Sequence, residues 1–425
     1  MNETGLSYVN PRDVRSNRAS RVIRLFRRIA LAFLAMTVLV AGWDVLTYDA
    51  TEWQVDYARL KRDMARGYAN LDWMVEHRKL DLPAIDRETT TAIDNAHSRV
   101  RAFLAIRLFV QRFKDPHLRL VFERGERPLA DPLPLVTAAS VAVAEQTTFV
   151  DRPAGGSCGN AGYEEGRHAF VFPFERIPGF RSVGGGDFPT AMIGDTGVLR
   201  IAQLGEDQYL SACESVYRAG IGERALKLEV RKLQQSRLRA AIAELQAQGA
   251  SRLLVDITGN GGGTEWVREA IALMTDLPLD RDAARLLADS CDRSGIWRGE
   301  PVCPALAFPG KPVRIQGLGA WRGPLLVLVD RGTGSAAEDF VAWLKINGVA
   351  TVLGETTAGA GGGYVNGGTR TRLRATPFSV RMPNCARFLA DGTNEIEGIA
   401  PGISLPMQDK NTDAKAAALA SALAR

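Results

Sequence analysis

Apolar positions recur along the chain with two different periods. Between residues 50 and 114 large apolar side chains return every three or four positions, which predicts helices. Short continuous apolar runs at 198–201, 252–257, 325–329 and 350–353 predict buried strands. Helical patterns at 225–248, from about 265 and up to about 346 separate these runs. Strands that alternate with helices in this way predict an α/β core.

The remaining segments complete a predicted division of the chain. Residues 50–114 form a helical N-terminal domain, and 196–410 form the α/β core. Residues 123–195 mix glycine clusters with short β-like runs such as 169–172, so we predict a loop-rich β insertion there. Residues 369–381 read as β structure, and 411–425 form a C-terminal helix.

Ser335 stands where a predicted strand turns sharply into a helix. Gly332 and Gly334 interrupt the pattern after the strand at 325–329, and helical spacing follows at once. In this position a serine hydroxyl can be exposed, and the first helical N–H groups can hold an oxyanion. Ser335 and Glu338 also match the capping box Ser-x-x-Glu, which is purely structural. The sequence around Ser335 therefore allows two roles, that of a catalytic nucleophile and that of a helix cap.

A glycine loop at residues 259–263 follows the strand at 252–257 and opens another helix. It lacks the Gly-Lys-Ser/Thr of phosphate loops and does not fit Gly-x-Gly-x-x-Gly. Glycines without side chains let backbone N–H groups approach an acyl oxygen closely. The loop is therefore either a plain tight turn or one half of an oxyanion hole, with Gly262 as a donor and Ala336 as the second.

The chain has four histidines, and one of them is a candidate general base. His117 follows Asp115 at a junction between a helix and a strand, where an exposed imidazole can accept a proton. His77 and His97 lie in the helical region and favour packing or surface roles. His168 lies in the predicted insertion, where the surrounding sequence does not indicate a role for it.

The N-terminus carries the chain's excess charge. Residues 1–28 form a basic leader with seven arginines, and an apolar run follows at 29–43. This arrangement is typical of a signal peptide or an uncleaved membrane anchor, and it places the body outside the cytoplasm. The net charge is +5 for the whole chain, and acids and bases cancel beyond the leader. The charge distribution therefore does not indicate a basic surface for nucleic-acid binding.

The five cysteines show no Cys-x-x-Cys spacing and no nearby histidines, which argues against a cysteine-based zinc site. In an exported chain Cys291 and Cys303 are close enough in sequence to close a small disulfide loop. An odd number leaves at least one free thiol or an intermolecular bridge.

Four blocks of the chain, in order, resemble the tail-specific (C-terminal processing) and tricorn-core serine peptidases. The first ends in Asp115-Pro116-His117, and the second is residues 253–263 with the glycine loop. The third runs from Gly334-Ser335-Ala336-Ala337-Glu338 to residues 354–359, and the fourth is 395–401. The resemblance spans about residues 50–410, with a poor match over 123–195. It implies a crotonase/ClpP-like α/β core and proteolysis by Ser335.

The resemblance also assigns roles to individual residues. The processing-peptidase lysine is replaced by Ala360, and Tyr364 replaces the accompanying glutamine, which favours the tricorn style with His117 as base. The matching acid is Glu395, with Glu397 as the second choice. Three positions depart from the family pattern: Pro116 replaces a serine, Thr258 an arginine and Gly402 an aspartate.

The combined expectation is a serine endopeptidase of the cell envelope or periplasm. Ser335 attacks a peptide carbonyl, His117 takes its proton, and the Gly262 and Ala336 N–H groups hold the oxyanion. Protein or peptide substrates are expected, with no cofactor and no metal; the oligomeric state is left open. The alternatives are a non-catalytic relative that binds peptides or hydrophobic ligands, and an acyl-CoA enzyme of the crotonase type.

Overall fold

The computed structural model describes residues 11–123, 154–288, 291–307 and 312–425. Ten α-helices occur in this part of the chain. They are α1 (Pro11–Leu46), α2 (Ala50–Gly67), α3 (Leu71–Glu76), α4 (Leu82–Asp94), α5 (Arg99–Arg112), α6 (Leu210–Val216), α7 (Glu223–Ala247), α8 (Val267–Leu273), α9 (Ala336–Ile346) and α10 (Thr412–Leu423). Short 3-10 turns lie at Phe174–Arg176, Glu206–Gln208, Ser294–Arg298, Val365–Gly367 and Glu395–Glu397.

Fifteen strands accompany the helices in the described residues. They are β1 (Arg119–Phe122), β2 (Phe180–Gly184), β3 (Thr190–Ile193), β4 (Thr196–Arg200), β5 (Arg252–Asp256), β6 (Pro278–Asp282), β7 (Arg285–Leu287), β8 (Leu306–Ala307), β9 (Pro312–Gln316), β10 (Leu325–Val329), β11 (Ala350–Gly354), β12 (Thr369–Arg372), β13 (Phe378–Met382), β14 (Cys385–Ala386) and β15 (Ile403–Ser404). The predicted strands at 198–201, 252–257, 325–329 and 350–353 correspond to β4, β5, β10 and β11.

A seven-stranded sheet forms the centre of the molecule, in the order β15-β11-β10-β5-β4-β3-β2. The strands from β15 to β4 are parallel, and β3 and β2 add an antiparallel edge. Parallel strands are normally covered on both faces, and their sequences are therefore continuously apolar. The α/β class predicted from the sequence is confirmed.

Alternate residues of the central strands face two separate cores. Val327 and Val329 of β10 point to one face, where α7, α8 and α9 pack. Leu328 points to the other face, where α10 packs with Phe174. Complete burial of one such side chain contributes about 1.5–3 kcal/mol. Because both faces are filled, the ends of β5 and β10 are held at a fixed separation.

Helices α2 to α5 build a third core, which is joined to the C-terminal part of the chain. Their buried side chains pack with Val380 and Met382 of β13. Strand β1 leaves α5 and pairs antiparallel with β13, with Arg119 opposite Arg381. This three-stranded sheet, β1-β13-β12, is separate from the central sheet. It places residue 117 beside segments that lie far away in the sequence.

Residues 180–193 belong to the central sheet, since β2 and β3 extend it from β4. The predicted boundary at 196 therefore does not follow an edge of the sheet. The β-like run at 169–172 is not a strand; Phe172 instead packs in the core with α10. Phe170 packs against the same core, whereas Val171 is exposed. The prediction for 124–153 falls outside the described residues.

Two disulfides join segments of the described chain. Cys291–Cys303, expected from spacing, is present, and Cys158–Cys213 is a second bridge that the spacing did not indicate. Cys385 is the free thiol among the described cysteines, and it is buried. Disulfides persist in oxidising compartments, which agrees with an exported body.

Helix α1 includes the apolar segment Phe26–Leu46, which has 21 residues and a mean hydropathy of 2.2 and is not buried against the rest of the protein. A segment of this length and composition can cross a bilayer. Cleaved signal sequences share these properties, so the helix fits either form of the predicted leader.

Candidate active site

Ser335 lies in a strained turn between β10 and α9. Its backbone has φ 54° and ψ −115°, a region that non-glycine residues rarely adopt. Such a conformation costs on the order of 1–3 kcal/mol and occurs most often at functional sites. The side chain is half-buried and lines an open cavity. The sharp turn predicted from Gly332 and Gly334 is therefore centred on the serine itself.

The side chain of Glu338 stabilises this turn through hydrogen bonds. Its buried carboxylate accepts hydrogen bonds from the Ser335 N–H (3.0 Å), the Thr357 hydroxyl (2.5 Å) and the N–H groups of Gly359 (2.7 Å) and Ala360 (2.8 Å). Burial raises its pKa, and these hydrogen bonds oppose that rise. Glu338 can thus act as the capping-box residue while the Ser335 side chain lines the cavity.

The glycine loop follows β5 and lies directly against the serine turn. A side chain at Gly262, where φ is +106°, would place its Cβ 2.7 Å from both Ser335 Cβ and the Ala336 nitrogen. Only glycine fits this contact. Because β5 and β10 are neighbouring parallel strands, their carboxyl ends bring the two loops together. The predicted oxyanion donors Gly262 and Ala336 are therefore adjacent.

Asn260 already accepts a hydrogen bond from one of these donors. Its Oδ1 accepts the Gly262 N–H at 2.9 Å, while its amide donates to the Ile201 carbonyl at 3.0 Å. The Gly262 carbonyl in turn accepts from Leu204 N–H at 3.0 Å. The Gly262 N–H is thus engaged within its own loop, an arrangement that the glycine spacing gave no reason to expect.

His117 reaches the cavity from the other side. Its backbone N–H donates to Asp115 Oδ1 at 2.8 Å, and its carbonyl accepts from the Tyr364 hydroxyl. The ring packs edge-on against Tyr364, with centroids 5.0 Å apart, and its Nδ1 is buried without a hydrogen bond. Burial, with the charges of Arg387, Arg119 and Arg381 adding to it, lowers the pKa of His117 to about 4. The imidazole is therefore neutral at pH 7.

Asp115 anchors this histidine segment to the helices. Its buried carboxylate also accepts from the Tyr68 hydroxyl at 2.9 Å and the Asn70 amide at 3.4 Å. Asn70 Oδ1 accepts from the Asn394 amide at 2.9 Å. This network connects the His117 segment to the loop that carries Glu395. Burial raises the pKa of Asp115 above its usual value, and the hydrogen bonds that the carboxylate accepts oppose this rise.

Ser335, Ala336 and His117 line one cavity of about 320 Å³. The sequence-predicted nucleophile, oxyanion donor and base therefore share a common space. The other side chains that face it include several that the sequence did not single out: Arg268, Arg281, Asp339, Trp343 and Arg387. Arg268 lies in α8, Arg281 in β6, Asp339 and Trp343 in α9, and Arg387 directly after β14, so the set is assembled from four parts of the chain.

Glu395 is buried beside the site, where two arginines hold it. Its carboxylate pairs with Arg281 and accepts from Arg387 Nε at 2.9 Å. Arg387 also donates to the Ser335 carbonyl at 3.0 Å. Among the described contacts of Glu395 there is none to His117. The predicted acid thus reaches the serine backbone through Arg387 rather than the imidazole.

Glu397, the second-choice acid, lies on the helical side of the chain. It accepts hydrogen bonds from Trp73 Nε1 at 2.7 Å and from Arg78 Nε at 2.8 Å. Its side chain is partly exposed. Glu397 therefore connects the 395–397 turn to α3 and the residues after it, and it does not line the cavity.

Ala360 and Thr258, two positions that depart from the family pattern, have definite surroundings. Ala360 is buried next to Gly334, and no lysine is among the described residues that line the cavity. Thr258 donates to Asp256 Oδ1 at 2.7 Å, and Arg200 pairs with the same carboxylate at 3.1 Å. Arg200 from β4 thus supplies a cation at the place where Thr258 has none.

Comparison with known proteins gives a consistent assignment. Residues 195–405 match the model of peptidase family S41. The chloroplastic C-terminal processing peptidase of Tetradesmus obliquus is 31% identical over 121 residues, which cover 28% of this chain and 22% of that protein. The carboxyl-terminal-processing protease of a Picosynechococcus species is also 31% identical over 121 residues, covering 28% of this chain and 25% of that protein. This chain therefore aligns with about a quarter of the length of these curated relatives.

The fold has solved counterparts as well. The crystal structure of mature CPAF matches with a TM-score of 0.56 and 13% identity, covering 88% of this chain and 96% of that chain. At this identity the likeness shows a shared fold. Residues 195–405, which match the model of peptidase family S41, hold Ser335, the glycine loop and Glu395.

Proposed function

We propose that this protein is a serine endopeptidase that hydrolyses peptide bonds of protein substrates. Ser335 is the nucleophile and His117 the general base. The observation that carries the proposal is the strained backbone of Ser335, which presents its side chain to a cavity that His117 also lines. The match of residues 195–405 to peptidase family S41 supports the same reaction.

The reaction is acyl transfer in two steps. His117 accepts the Ser335 hydroxyl proton as the oxygen attacks the peptide carbonyl carbon, and the carbonyl oxygen becomes an oxyanion. The protonated His117 then gives its proton to the leaving amine, which leaves an acyl ester on Ser335. Water, deprotonated by His117, hydrolyses this ester. The pKa of about 4 keeps His117 in the proton-accepting form at neutral pH.

The Ala336 and Gly262 N–H groups are the proposed oxyanion donors. Ala336 begins α9, so the partial positive charge at the helix N-terminus adds to its effect. The Gly262 N–H is bonded to Asn260 Oδ1, and it becomes a donor to substrate only when that bond is exchanged. One preorganised donor is worth about 10²–10³ in rate. Substrate binding would therefore shift the Asn260 amide away from Gly262.

Glu395 is proposed as a positioning residue. It fixes Arg387, and Arg387 holds the Ser335 carbonyl at 3.0 Å. This contact restrains the strained turn and places a positive charge near His117. Glu395 therefore acts on the serine backbone through Arg387.

We infer that the catalytic part lies outside the cytoplasm, in the periplasm or cell envelope. The basic leader before an apolar helix and the two disulfides support this location. Proteins of the envelope are then the expected substrates. Helix α1 either anchors the protein by a single span or is removed as a signal peptide.

Cleavage of casein by the full chain in detergent, with a fluorophosphonate probe in parallel, tests the function. The wild type should cleave and be labelled, Ser335→Ala should do neither, and His117→Ala should lose about 10⁴-fold or more in rate. Labelling of Ser335→Ala equal to that of wild type would contradict the proposal. Unchanged cleavage by His117→Ala would exclude His117 as the base.

A second candidate is a non-catalytic relative that binds peptides or hydrophobic ligands. The bond between Asn260 and the Gly262 N–H, which occupies an oxyanion donor, favours this reading. It predicts a folded wild type that neither cleaves casein nor reacts with the probe, while unfolded peptides still bind. The peptidase reading predicts labelling at Ser335.

A further inference from the structure

A second polar cluster lies away from the catalytic cavity, around His168. Glu165, His168 and Asp187 each offer one ligand atom, and these atoms lie within 4.8 Å of one another. His168 Nε2 is 3.6 Å from Glu165 Oε1. Two ligands of a tetrahedral ion with bonds of about 2.0–2.1 Å stand about 3.4 Å apart. This pair is therefore already close to the separation that a shared ion requires.

The imidazole of His168 has unmet bonding capacity. The residue is only 8% exposed, and neither Nδ1 nor Nε2 has a hydrogen-bond partner. Buried polar atoms nearly always have partners, and an exception calls for a specific explanation. The ring is stacked on Tyr209, with centroids 4.7 Å apart and an interplanar angle of 16°. Tyr209 therefore fixes the ring plane while both nitrogens stay available.

Asp187 is oriented by neighbours that leave one oxygen open. Its Oδ2 accepts from Gln234 Nε2 at 3.0 Å and from Arg237 at 2.5 Å. Its Oδ1 has only a long contact of 3.4 Å with the Ser211 hydroxyl. Outer hydrogen bonds of this kind orient ligating carboxylates in metal sites. The buried Gln234 Oε1, which has no partner, adds a further acceptor on the side chain that bonds Asp187.

The charges favour a cation. Two carboxylates and Arg237 give the group a net charge of −1 when His168 is neutral. Glu165 is about half exposed, and Asp187 lines an open surface cavity, so an ion has access from solvent. The imidazole ligand selects transition metals over Ca²⁺ and Mg²⁺, which prefer oxygen alone.

We propose that Glu165, His168 and Asp187 form a binding site for a divalent transition-metal ion, with Zn²⁺ as the representative ion. Imidazole nitrogen and carboxylate oxygen are both zinc ligands, and in a site with three protein ligands water completes the coordination. This site is independent of the cysteines, whose spacing argued against zinc. It does not depend on the peptidase reaction.

The ion would join two separate segments, and Asp187 connects them to a third through its pair with Arg237. Glu165 and His168 lie in the loop after the Cys158 bridge, Asp187 lies in the turn between β2 and β3, and Arg237 belongs to α7. The Tyr209 hydroxyl also donates to the Gln203 carbonyl at 2.8 Å, next to Leu204, whose N–H donates to the Gly262 carbonyl. Metal binding is therefore expected to stabilise the fold between the disulfide and the glycine loop.

The test is isothermal titration of ZnCl₂ into the full chain, purified in detergent without a polyhistidine tag and treated with a chelator. The wild type should bind one Zn²⁺ per chain, and its Tm should rise by roughly 3 °C at zinc about 100-fold above Kd. His168→Ala should weaken binding more than about 100-fold, since even outer partners are worth 10–100-fold. Glu165→Gln, at a half-exposed position that tolerates the change, should weaken it about 10-fold or more.

His97→Asn is the matched control. His97 is exposed and has φ 52°, a conformation that asparagine tolerates, so zinc affinity should stay within about two-fold of the wild type. No saturable zinc binding in the wild type would overturn the proposal. Equal binding by wild type, His168→Ala and Glu165→Gln, or binding of Ca²⁺ in place of Zn²⁺, would overturn it as well.

Discussion

The serine side and the histidine side of the cavity are assembled in different ways. Ser335 and the glycine loop follow β10 and β5, two neighbouring parallel strands with one shared core. His117 precedes β1, which pairs with β13 of a separate sheet and packs on the N-terminal helices. The serine side therefore depends on one sheet, and the histidine side depends on the docking of three parts of the chain.

The anchoring carboxylates show the same contrast. Glu338, three residues after Ser335, accepts four hydrogen bonds within the serine side. Asp115 binds the His117 backbone and Tyr68, which lies between α2 and α3, but the His117 ring itself has no bond at Nδ1. We infer that the serine turn is rigid, whereas the position of the imidazole depends on packing between the helical part and the C-terminal strands.

Removal of Glu338 should produce the largest effect. Glu338→Ala leaves the donors of Ser335, Thr357, Gly359 and Ala360 without their acceptor in a buried place. We expect about 3–5 kcal/mol of lost stability and no detectable peptidase activity. Urea unfolding with an unchanged m-value measures the first quantity. Glu338→Gln keeps the shape and one acceptor and should lose less; a loss below about 1 kcal/mol in the alanine variant would contradict the rigid serine side.

Removal of Asp115 should have the next largest effect, and it should fall on activity as well as stability. Asp115→Ala frees the His117 backbone and the Tyr68 hydroxyl, so we expect about 2–3 kcal/mol of destabilisation. Peptidase kcat/KM should fall at least about 10-fold, because the imidazole is no longer held in place. Tyr68→Phe removes only the hydroxyl bond and should keep most of the activity. If Asp115→Ala had the same kcat/KM as the wild type, the proposed role of Asp115 in holding His117 would be wrong.

The two candidate acids offer a matched pair of variants. Glu395→Gln removes the charge that Arg281 and Arg387 share in a buried place, and it should cost about 1–3 kcal/mol and reduce kcat. Glu397→Gln changes a partly exposed pair with Arg78 and should stay within about 0.5 kcal/mol, with unchanged kinetics. If Glu397→Gln proved the more damaging to kcat, the assignment of Glu395 would be wrong.

The pH profile should show the smallest change. A histidine that ionises with a pKa of about 4 is still about 90% neutral at pH 5, whereas an ordinary one with a pKa near 6.5 is only about 3% neutral. Between pH 7 and pH 5, kcat/KM should therefore fall less than about two-fold and then decline toward pH 4. Arg119→Gln, which removes one exposed cation near the ring, should move this acidic limb upward. A roughly 30-fold fall by pH 5 in the wild type would contradict the pKa shift.

The sequence by itself determined the local features of the serine side. The apolar runs predicted β4, β5, β10 and β11, and the glycines around Ser335 predicted the sharp turn, because strand burial and positive-φ turns depend on neighbouring residues. Cysteine spacing anticipated Cys291–Cys303 for the same reason. The order of the four blocks also pointed to the family, since the motifs are short and contiguous.

Only the tertiary structure decided which distant side chains meet. It placed β2 and β3 in the central sheet and directed Glu395 to Arg281 and Arg387. It also brought His168 to Asp187, across a turn that no spacing rule connects. These contacts depend on how strands pair and how helices pack over long sequence separations. A local pattern of polar and apolar residues contains no information about such pairings, so the partners of buried charges emerge only in the folded chain.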